Sequence, residues 1–469
     1  MTRRDDADLA KPVQILERLP NQGAGELRTA NGEGQTVCPR AAAPVMSARR
    51  HICIRVNFKF VHAADLHLNS PLCTRAAGPL QPLFDDATFT TLRRIVDLCL
   101  AEKAAFLLLA GDLFEYRDRS IRARLELRRQ LARLDGAGIG TFIVHGNHDP
   151  LSSEPGLLRL FDSVKVFGPS WEEVELRRDG HVLCRVQGIS YPTERVSEDL
   201  TPLFSRQGPE FTIGLLHANV GGSAGHANYA PCTLADLDRR RLDYWALGHV
   251  HTRAEYSLDG GGIAVYPGNP QGRHIAEPGE RGCILVDVEE GRAALRFCPL
   301  ESVRWSRVVV ETASFSTLDS LSDAIGDAIA GACVAGPDAH ALQIVLVGSG
   351  PLHRELARSG ALDQLLDHFA SSAVQLSPPA LVESIVDQTR PELDLAAAAS
   401  PGTLGGAIAS VARSAESGGA AWNQLCADEG LARLESSLGR LGVRAVQSRK
   451  LLDRAMIRAL ELLQGEAES

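Results

Sequence analysis

The chain has 469 residues, and its 49 Lys plus Arg against 58 Asp plus Glu give a net charge of −9. This balance excludes binding of nucleic acid through gross positive charge, although it is compatible with a local basic groove. The length predicts about two to three domains. The 10 cysteines include no C-x-x-C pair, which excludes a zinc ribbon or a disulfide framework and predicts reduced thiols. No apolar run reaches the roughly 18 residues that a membrane span requires, so we expect a cytoplasmic protein without membrane contact.

The pattern of apolar residues predicts an α/β fold from residue 57 onwards. Residues 1–56 are rich in Gly, Ala, Arg and Asp and lack periodicity, which predicts a disordered extension with Met46 as an alternative start. Residues 57–144 alternate short apolar runs with helical spacing, and this order predicts a parallel sheet with helices on its faces. Beyond residue 163 the helical patterns thin out. Short runs separated by turns there predict a second, mixed sheet packed on the first.

The last third of the chain shows three different patterns. Between residues 303 and 377 the order strand, helix, strand, helix, strand predicts a small α/β domain. An Ala/Gly/Ser-rich stretch predicts a linker, and apolar residues at helical spacing then predict helices that dock on their own domain or bind a partner. The predicted division is an extension at 1–56, a large domain at 57–300, a small α/β domain at 301–394, a linker at 395–421 and a helical tail at 422–469.

Five polar segments follow apolar runs, each at the predicted end of a buried strand. They are Asp65-Leu66-His67, Gly111-Asp112, Gly146-Asn147-His148-Asp149, His217 and Gly248-His249-Val250-His251. Because buried strands deliver their last residues to one rim of a sheet, we expect these segments to converge in space. A Gly before Asp112, Asn147 and His249 predicts tight backbone turns that direct the three side chains into the site.

The side chains in these segments suit a metal site. Two Asp, several His and one Asn, without Cys, are ligands for Mn²⁺, Fe or Zn²⁺, and the absence of Cys argues against a structural zinc site. The D-x-H and H-x-H spacings place two ligands on the same side of an extended segment. A carboxylate such as Asp112 is able to bridge two cations, which hold a hydroxide and clamp a phosphate. Each motif alone is common by chance, but five in this order predict a two-metal centre.

The ordered set D-x-H, G-D, G-N-H-D, H and G-H-x-H resembles the calcineurin-like metallophosphoesterase superfamily, over residues 57–300. The resemblance implies a four-layer α-β-β-α sandwich and attack of a metal-activated hydroxide on phosphorus. It makes His148 the group that stabilises the transition state or protonates the leaving oxygen, and Asp149 the group that orients His148. The implied ligands are Asp65, His67, Asp112 and His251 for one metal, and Asp112, Asn147, His217 and His249 for the other.

Two longer stretches narrow this resemblance. HAADLHLNSPL and YPGNPQGRHIAEPGERGCILVDVE are similar to DNA-repair exonucleases of the SbcD type, in the YhaO-like branch that has Asn69-Ser70-Pro71 after the first motif. The resemblance implies a DNA nuclease with two divalent ions, Mn²⁺ being the expected metal. It also implies that residues 301–394 form a capping domain and that the tail joins an SbcC-like coiled-coil ATPase. Arg273 and His274 either approach the substrate or form a surface pair, and a homodimer is left open.

Two other functions fit the same motifs. The metal site alone does not choose a substrate, so a phosphodiesterase or phosphatase acting on small nucleotides or phosphoproteins is the second candidate. A capping domain and a tail favour the nuclease, because a minimal phosphodiesterase needs neither. A scaffold without activity is the third candidate. The presence of His148 argues against it, since binding alone would not need that side chain.

Overall fold

The computed structural model describes residues 13–15, 57–72, 77–115, 120–153, 161–178, 180–222, 229–391 and 402–416. The chain forms two compact units. The first contains the residues up to Ser306 together with Cys333–Leu342 and Val374–Leu381, and the second contains Arg307–Ala332, Gln343–Ala373 and the residues from Val382 onwards. The predicted helical tail at 422–469 lies outside the described residues and stays a prediction.

The first unit is built on two sheets. Its strands are β1 (Val13–Ile15), β2 (Phe58–Ala63), β3 (Phe106–Ala110), β4 (Gly140–Val144), β5 (Val164–Val166), β6 (Glu172–Arg178), β7 (His181–Gly188), β8 (Phe211–His217), β9 (Tyr244–Gly248), β10 (Ala254–Ser257), β11 (Ile263–Tyr266), β12 (Gly282–Glu289) and β13 (Arg292–Pro299). Its helices are α1 (Gln81–Ala101), α2 (Ile121–Gly136) and α3 (Leu234–Asp238). One sheet has the order β1-β6-β7-β8-β9-β11-β10 and the other the order β13-β12-β2-β3-β4-β5.

The central strands of both sheets run parallel, as predicted for the first sheet, and antiparallel pairs at β6–β7 and β10–β11 make the seven-stranded sheet mixed, as predicted for the second. β3 pairs in parallel with β2 and β4, and β8 pairs in parallel with β7 and β9. All five residues of β3 are buried, because one face of its sheet meets the other sheet and the opposite face meets helices. Helix α2 begins at a side-chain cap, where Ser120 Oγ accepts a hydrogen bond of 3.2 Å from the Ala123 N–H.

Three apolar layers hold the first unit together, and they confirm the predicted α/β sandwich. Between the sheets, the rings of Phe60 and Phe106 stack with centroids 4.9 Å apart, and Tyr244 meets Phe60 edge-on at 5.2 Å. On the outer face of the six-stranded sheet lie α1 and α2. On the outer face of the seven-stranded sheet, Trp245 packs against Phe204 beneath loops and the short helix α3.

Strand β1 lies within the segment for which the sequence predicts disorder. It pairs in parallel with β6, with Val13 opposite Val174. The rest of residues 1–56 lies outside the described part of the chain, so the prediction of disorder there stays a prediction.

The second unit contains most of a three-stranded sheet, with helices between the strands along the chain. The strands β14 (Val303–Glu311), β15 (Ala339–Ser349) and β16 (Ala380–Arg390) have the order β14-β15-β16, and the helices are α4 (Leu318–Ala332), α5 (His353–Leu356) and α6 (Ala361–Ala373). The last strand was predicted at residues 373–377, but α6 ends at Ala373 and β16 begins only at Ala380, after two consecutive prolines, which lack the N–H that a ladder needs.

A further helix, α7 (Leu404–Glu416), lies within the predicted linker at 395–421. Alanine is the strongest helix former, so an Ala-rich stretch with apolar residues at helical spacing is able to form a helix where composition suggested an irregular connection. Among the described residues, no helix is long and apolar enough to cross a bilayer.

The stacked phenylalanines between the sheets give a test of the fold. Replacing Phe106 by Ala removes a ring that is fully buried and leaves a cavity, and we expect a loss of about 3–5 kcal/mol in the free energy of unfolding. Urea unfolding followed by circular dichroism measures the loss. Leu203→Ala is the control because this side chain is 49% exposed, and it should change the free energy by no more than about 0.5 kcal/mol. Equal effects would contradict the assignment of Phe106 to the core.

Candidate metal centre

Strand ends from both sheets converge on one site. Asp65 and His67 follow β2, Asp112 follows β3, and residues 146–149 follow β4, all in the six-stranded sheet. His217 ends β8 and His249 follows β9 in the seven-stranded sheet. Because these strands are parallel within each sheet, their carboxyl ends share one rim, and the predicted convergence is what the structure has.

The backbone is strained where it delivers four of these side chains. Asp65, His67, Asp112 and His249 have φ angles of 53°, 41°, 51° and 102°, a region that costs a residue with a side chain about 1–3 kcal/mol. Backbone hydrogen bonds hold the strained segments together: the Asp65 N–H donates to Gly111 O and the His67 N–H to Asp112 O, both at 3.0 Å. Such strain is typical of functional sites, where surrounding structure fixes a side chain in one direction.

One group of side chains lies around Asp65. The ligand atoms of Asp65, His67 and His251 all lie within 4.8 Å of one another. His67 Nε2 is 3.2 Å from His251 Nε2, a distance at which the two ring nitrogens cannot both carry a proton. The N–H of His249 donates to both Asp65 carboxylate oxygens, at 3.0 and 3.1 Å. These three side chains could hold one cation.

A second group lies around Asn147. Its Oδ1 atom is 3.1 Å from His217 Nε2 and 3.2 Å from His249 Nδ1. Asp112 lies between the two groups, because its Oδ2 atom is 3.4 Å from His217 Nε2 and 4.0 Å from His67 Nε2. The side chains of Asn147, His217 and His249 could therefore hold a second cation, with Asp112 shared.

Two hydrogen bonds fix which ring nitrogen faces the centre. His217 Nδ1 lies 2.9 Å from Ala110 O, and His251 Nδ1 lies 2.7 Å from Glu277 Oε1. Because a carbonyl or carboxylate oxygen can only accept, Nδ1–H donates in both pairs and Nε2 is the nitrogen that faces the centre. This arrangement is the one that metal-binding histidines use.

Burial makes the charges of the site depend on one another. Burial raises the pKa of Asp65 to about 6 and lowers the pKa of His67 to about 4, so that imidazole is neutral, as a metal ligand must be. Burial alone would raise the pKa of Asp112, but His217 and His67 outweigh it and hold that pKa below its usual range. The same carboxylate outweighs burial at His217 and raises its pKa to about 9. The negative charge of Asp112 thus stabilises a proton on His217, and a cation at this position would compensate the same charge. The donor set therefore fits two divalent ions.

The glycines before the ligands are needed for space more than for turning. A Cβ atom on Gly146 would lie 2.3 Å from Asp112 Oδ1, and one on Gly248 would lie 1.8 Å from Ala110 O. Only Gly111, of the three, has a positive φ, at 89°. The predicted tight turn therefore holds at Gly111, whereas the other two glycines allow neighbouring segments to approach the centre closely.

His148 lies beside the centre, with a partner that the sequence did not predict. Its Nδ1 atom is 2.7 Å from Glu115 Oε1, its N–H donates to Asp112 Oδ1 at 2.8 Å, and its side chain is 38% exposed. Glu115 Oε2 also lies 3.4 Å from His67 Nδ1. Glu115 therefore joins the imidazoles of His148 and His67.

The carboxylate of Asp149, predicted to orient His148, accepts hydrogen bonds from backbone N–H groups instead. Its Oδ1 atom accepts from the N–H groups of Asp112 and Gly146 at 3.2 and 2.8 Å, and its Oδ2 atom accepts from the Leu113 N–H at 2.8 Å. The carboxylate is thus buried among backbone donors. Asp149 holds the loops after β3 and β4 together, and Glu115 occupies the position beside the His148 ring that was predicted for Asp149.

Arg273 and His274, the two predicted substrate contacts, differ in exposure. Arg273 lies between carboxylates, with Nη1 3.7 Å from Glu115 Oε2, and its side chain is 16% exposed. His274 is 56% exposed, and its Nε2 atom lies 3.7 Å from Glu277 Oε1. His274 is therefore the more accessible of the pair.

Sequence reasoning missed Glu115 and Glu277. Glu115 stands three residues after Asp112, and Glu277 stands alone in a Gly- and Pro-containing loop after the last motif. Neither forms a spacing pattern with another ligand. An acidic residue close to a histidine motif was the signal available, and such residues are too common for this signal to stand out in the sequence.

Comparisons with known proteins agree with this geometry. Residues 58–253 match the calcineurin-like phosphoesterase family, and residues 305–390 match the middle domain of the metallophosphoesterase YhaO. The uncharacterised metallophosphoesterase YhaO of Bacillus subtilis is 34% identical over 66% of this chain and 76% of its own length. The chain belongs to the calcineurin-like metallophosphoesterases, metal-dependent hydrolases of phosphate esters, and within them to the YhaO-like branch.

Two archaeal relatives carry the name DNA double-strand break repair protein Mre11. The protein from Sulfurisphaera tokodaii is 30% identical over 45% of this chain and 54% of its own length. The protein from Sulfolobus acidocaldarius is 26% identical over 49% of this chain and 60% of its own length. The chain therefore matches little more than half the length of these two relatives.

Glu277 gives a test of the centre. Glu277→Gln removes the charge that accepts the His251 N–H, and we expect the affinity for Mn²⁺ to fall about 10- to 100-fold. Isothermal titration of protein freed of metal with a chelator measures this affinity. Glu173→Gln is the matched control, because Glu173 is buried to a similar degree but pairs with Arg185. An unchanged affinity in Glu277→Gln would contradict the role of Glu277.

Proposed function

We propose that this chain is a two-metal-dependent phosphodiesterase that cleaves DNA, as an exonuclease or endonuclease, in repair or end processing. The observation that carries the proposal is the convergence of the ligand side chains around Asp112, with the half-exposed His148 beside them. The similarity to proteins named DNA double-strand break repair protein Mre11 supports DNA as the substrate.

The proposed ligands divide as the motifs suggest. Asp65, His67, Asp112 and His251 would hold one divalent ion, and Asp112, Asn147, His217 and His249 the other. When bound, the two ions would supply positive charge for the phosphoryl oxygens and would lower the pKa of water at the site. We propose Mn²⁺ as the native metal, because the set of carboxylate, amide and imidazole donors suits it, with Fe or Zn²⁺ as alternatives.

His148 is the proposed proton donor. Its Nδ1–H donates to Glu115, so Nε2 is free to face the substrate. Partial burial opposes protonation, but Glu115 and Asp112 raise the pKa of His148, so the imidazolium persists closer to neutral pH. As the bond between phosphorus and the leaving oxygen breaks, Nε2–H gives its proton to that oxygen. The neutral imidazole then regains a proton from water.

The remaining parts of the proposal concern the substrate and the partner. Residues 301–394 act as a capping domain that positions DNA, and His274, the more exposed of the two predicted contacts, approaches the phosphate backbone. The helical tail at 422–469 joins an SbcC-like coiled-coil ATPase in the cytoplasm. A homodimer is compatible with this scheme. The alternative is a phosphodiesterase or phosphatase for small nucleotides or phosphoproteins, because the same centre would serve either substrate.

His148→Ala tests the proposal. With Mn²⁺ and end-labelled duplex or single-stranded DNA, we expect cleavage to fall about 100- to 10,000-fold, the usual contribution of general acid catalysis. His181→Ala, at an exposed position at the start of β7, should retain the wild-type rate. Cleavage by the wild type of a generic phosphodiester but not of DNA would contradict the nuclease proposal. Equal cleavage by His148→Ala and wild type would contradict the role of His148.

A further inference from the structure

Arg273 lies between the two carboxylates that hold the histidines of the site. Its Nη1 atom is 3.7 Å from Glu115 Oε2, and its Nη2 atom is 3.9 Å from Glu277 Oε1. Glu115 is hydrogen-bonded to His148, and Glu277 is hydrogen-bonded to His251. The guanidinium of Arg273 therefore faces both the carboxylate that holds the proposed proton donor, His148, and the carboxylate that holds a proposed metal ligand, His251.

Hydrogen bonds in the loop around Arg273 fix the position of its backbone, from which the guanidinium side chain extends. The Arg273 N–H donates to Glu277 Oε2 at 2.8 Å, and Asn269 Nδ2 donates to the same oxygen at 2.8 Å. Glu277 is buried, so the backbone of Arg273 is tied to a carboxylate that does not move freely. At the other end of the side chain, Nη1 lies 3.4 Å from Ser70 Oγ.

The carboxylate of Glu115 is held by other side chains. Among the described residues, its side chain contacts the imidazoles of His148 and His67 and the guanidinium of Arg273. The two imidazoles change partner or charge during a reaction, whereas a guanidinium stays charged at all relevant pH values. Arg273 is therefore the partner able to hold Glu115 in one place throughout.

The exposure of the side chains argues against direct contact of Arg273 with substrate. Only 16% of its side chain is exposed, and both terminal nitrogens face carboxylates. The neighbouring His274, at 56%, offers the accessible nitrogen of this loop. A phosphate would have to displace Glu115 or Glu277 to pair with the guanidinium.

We propose that Arg273 is a positioning residue that fixes Glu115 and, through it, the imidazole of His148. The inference rests on the proposed function in one respect, the role of His148 as proton donor. It assigns to a residue of the loop after β11 control over proton transfer at a side chain that follows β4.

Leaving-group dependence separates this role from substrate binding. Arg273→Met keeps the length of the side chain and removes its charge, Arg273→Lys keeps the charge without the planar fork, and Arg185→Met is the matched control. Arg185 is 17% exposed and paired with carboxylates, but it lies on β7, outside the centre. Each variant is assayed with Mn²⁺ on a short DNA, whose leaving group is an alcohol, and on bis(p-nitrophenyl) phosphate, whose leaving group is an acidic phenol that needs no proton.

We expect Arg273→Met to lower kcat on DNA about 10- to 100-fold with little change in KM, and to leave kcat on the nitrophenyl ester near the wild-type value. Arg273→Lys should recover part of the loss, and Arg185→Met should behave as wild type. In a Glu115→Gln background, Arg273→Met should add little, because both act on one imidazole. A raised KM at unchanged kcat, or equal losses on both substrates, would overturn the proposal.

A spectroscopic readout keeps the test independent of activity. The His148 Nδ1–H bound to Glu115 should give a downfield proton signal in long-range ¹H–¹⁵N spectra of the histidine rings. We expect Arg273→Met to broaden or shift this signal and Arg185→Met to leave it unchanged. An unchanged signal in Arg273→Met would overturn the proposal. Failure of the wild type to cleave DNA would instead contradict the nuclease function and leave this spectral comparison intact.

Discussion

The buried carboxylate of Asp112 is the interaction on which the rest of the site depends. Its Oδ1 atom accepts the N–H of His148, while Oδ2 faces His217 and His67. A buried carboxylate is stable only when charges or hydrogen bonds compensate it. The loops after β2, β3 and β4 and the end of β8 therefore have to meet at one point. This convergence requires backbone strain, seen in the positive φ angles, and a glycine at position 146, where a Cβ atom would collide with Asp112.

The convergence of the candidate ligands could be predicted from the sequence because their positions follow from strand geometry. Polar residues directly after buried strands have no packing role, and parallel strands bring them to one rim. Asp149 shows where this reasoning stops, since its neighbour in sequence, His148, is not its partner in space. Glu115 and Glu277 are single acidic residues whose roles depend on how loops fold back. The helix α7 was likewise hidden by a composition typical of linkers.

Like the chain as a whole, the site carries an excess of acidic side chains. Asp65, Asp112, Glu115 and Glu277 surround the centre, and Arg273 is the guanidinium placed between the last two. Without cations, this cluster would repel a phosphate. In an acidic protein of this kind, bound divalent ions would supply the positive charge that a phosphate meets, because a bound divalent ion is the largest local charge in its site. The sequence charge alone therefore says little about the field that a substrate meets.

The two sheets of the sandwich each supply part of the ligand set. β2, β3 and β4 belong to one sheet, and β8 and β9 belong to the other. Ions bound by side chains from both sheets would connect the two sheets at their common rim. Binding of these ions and unfolding of the protein would then be thermodynamically linked. A ligand at 100 times its dissociation constant adds about 2.7 kcal/mol to the folded state. The supply of divalent metal in the cell would then set how long the folded protein survives as well as how fast it works.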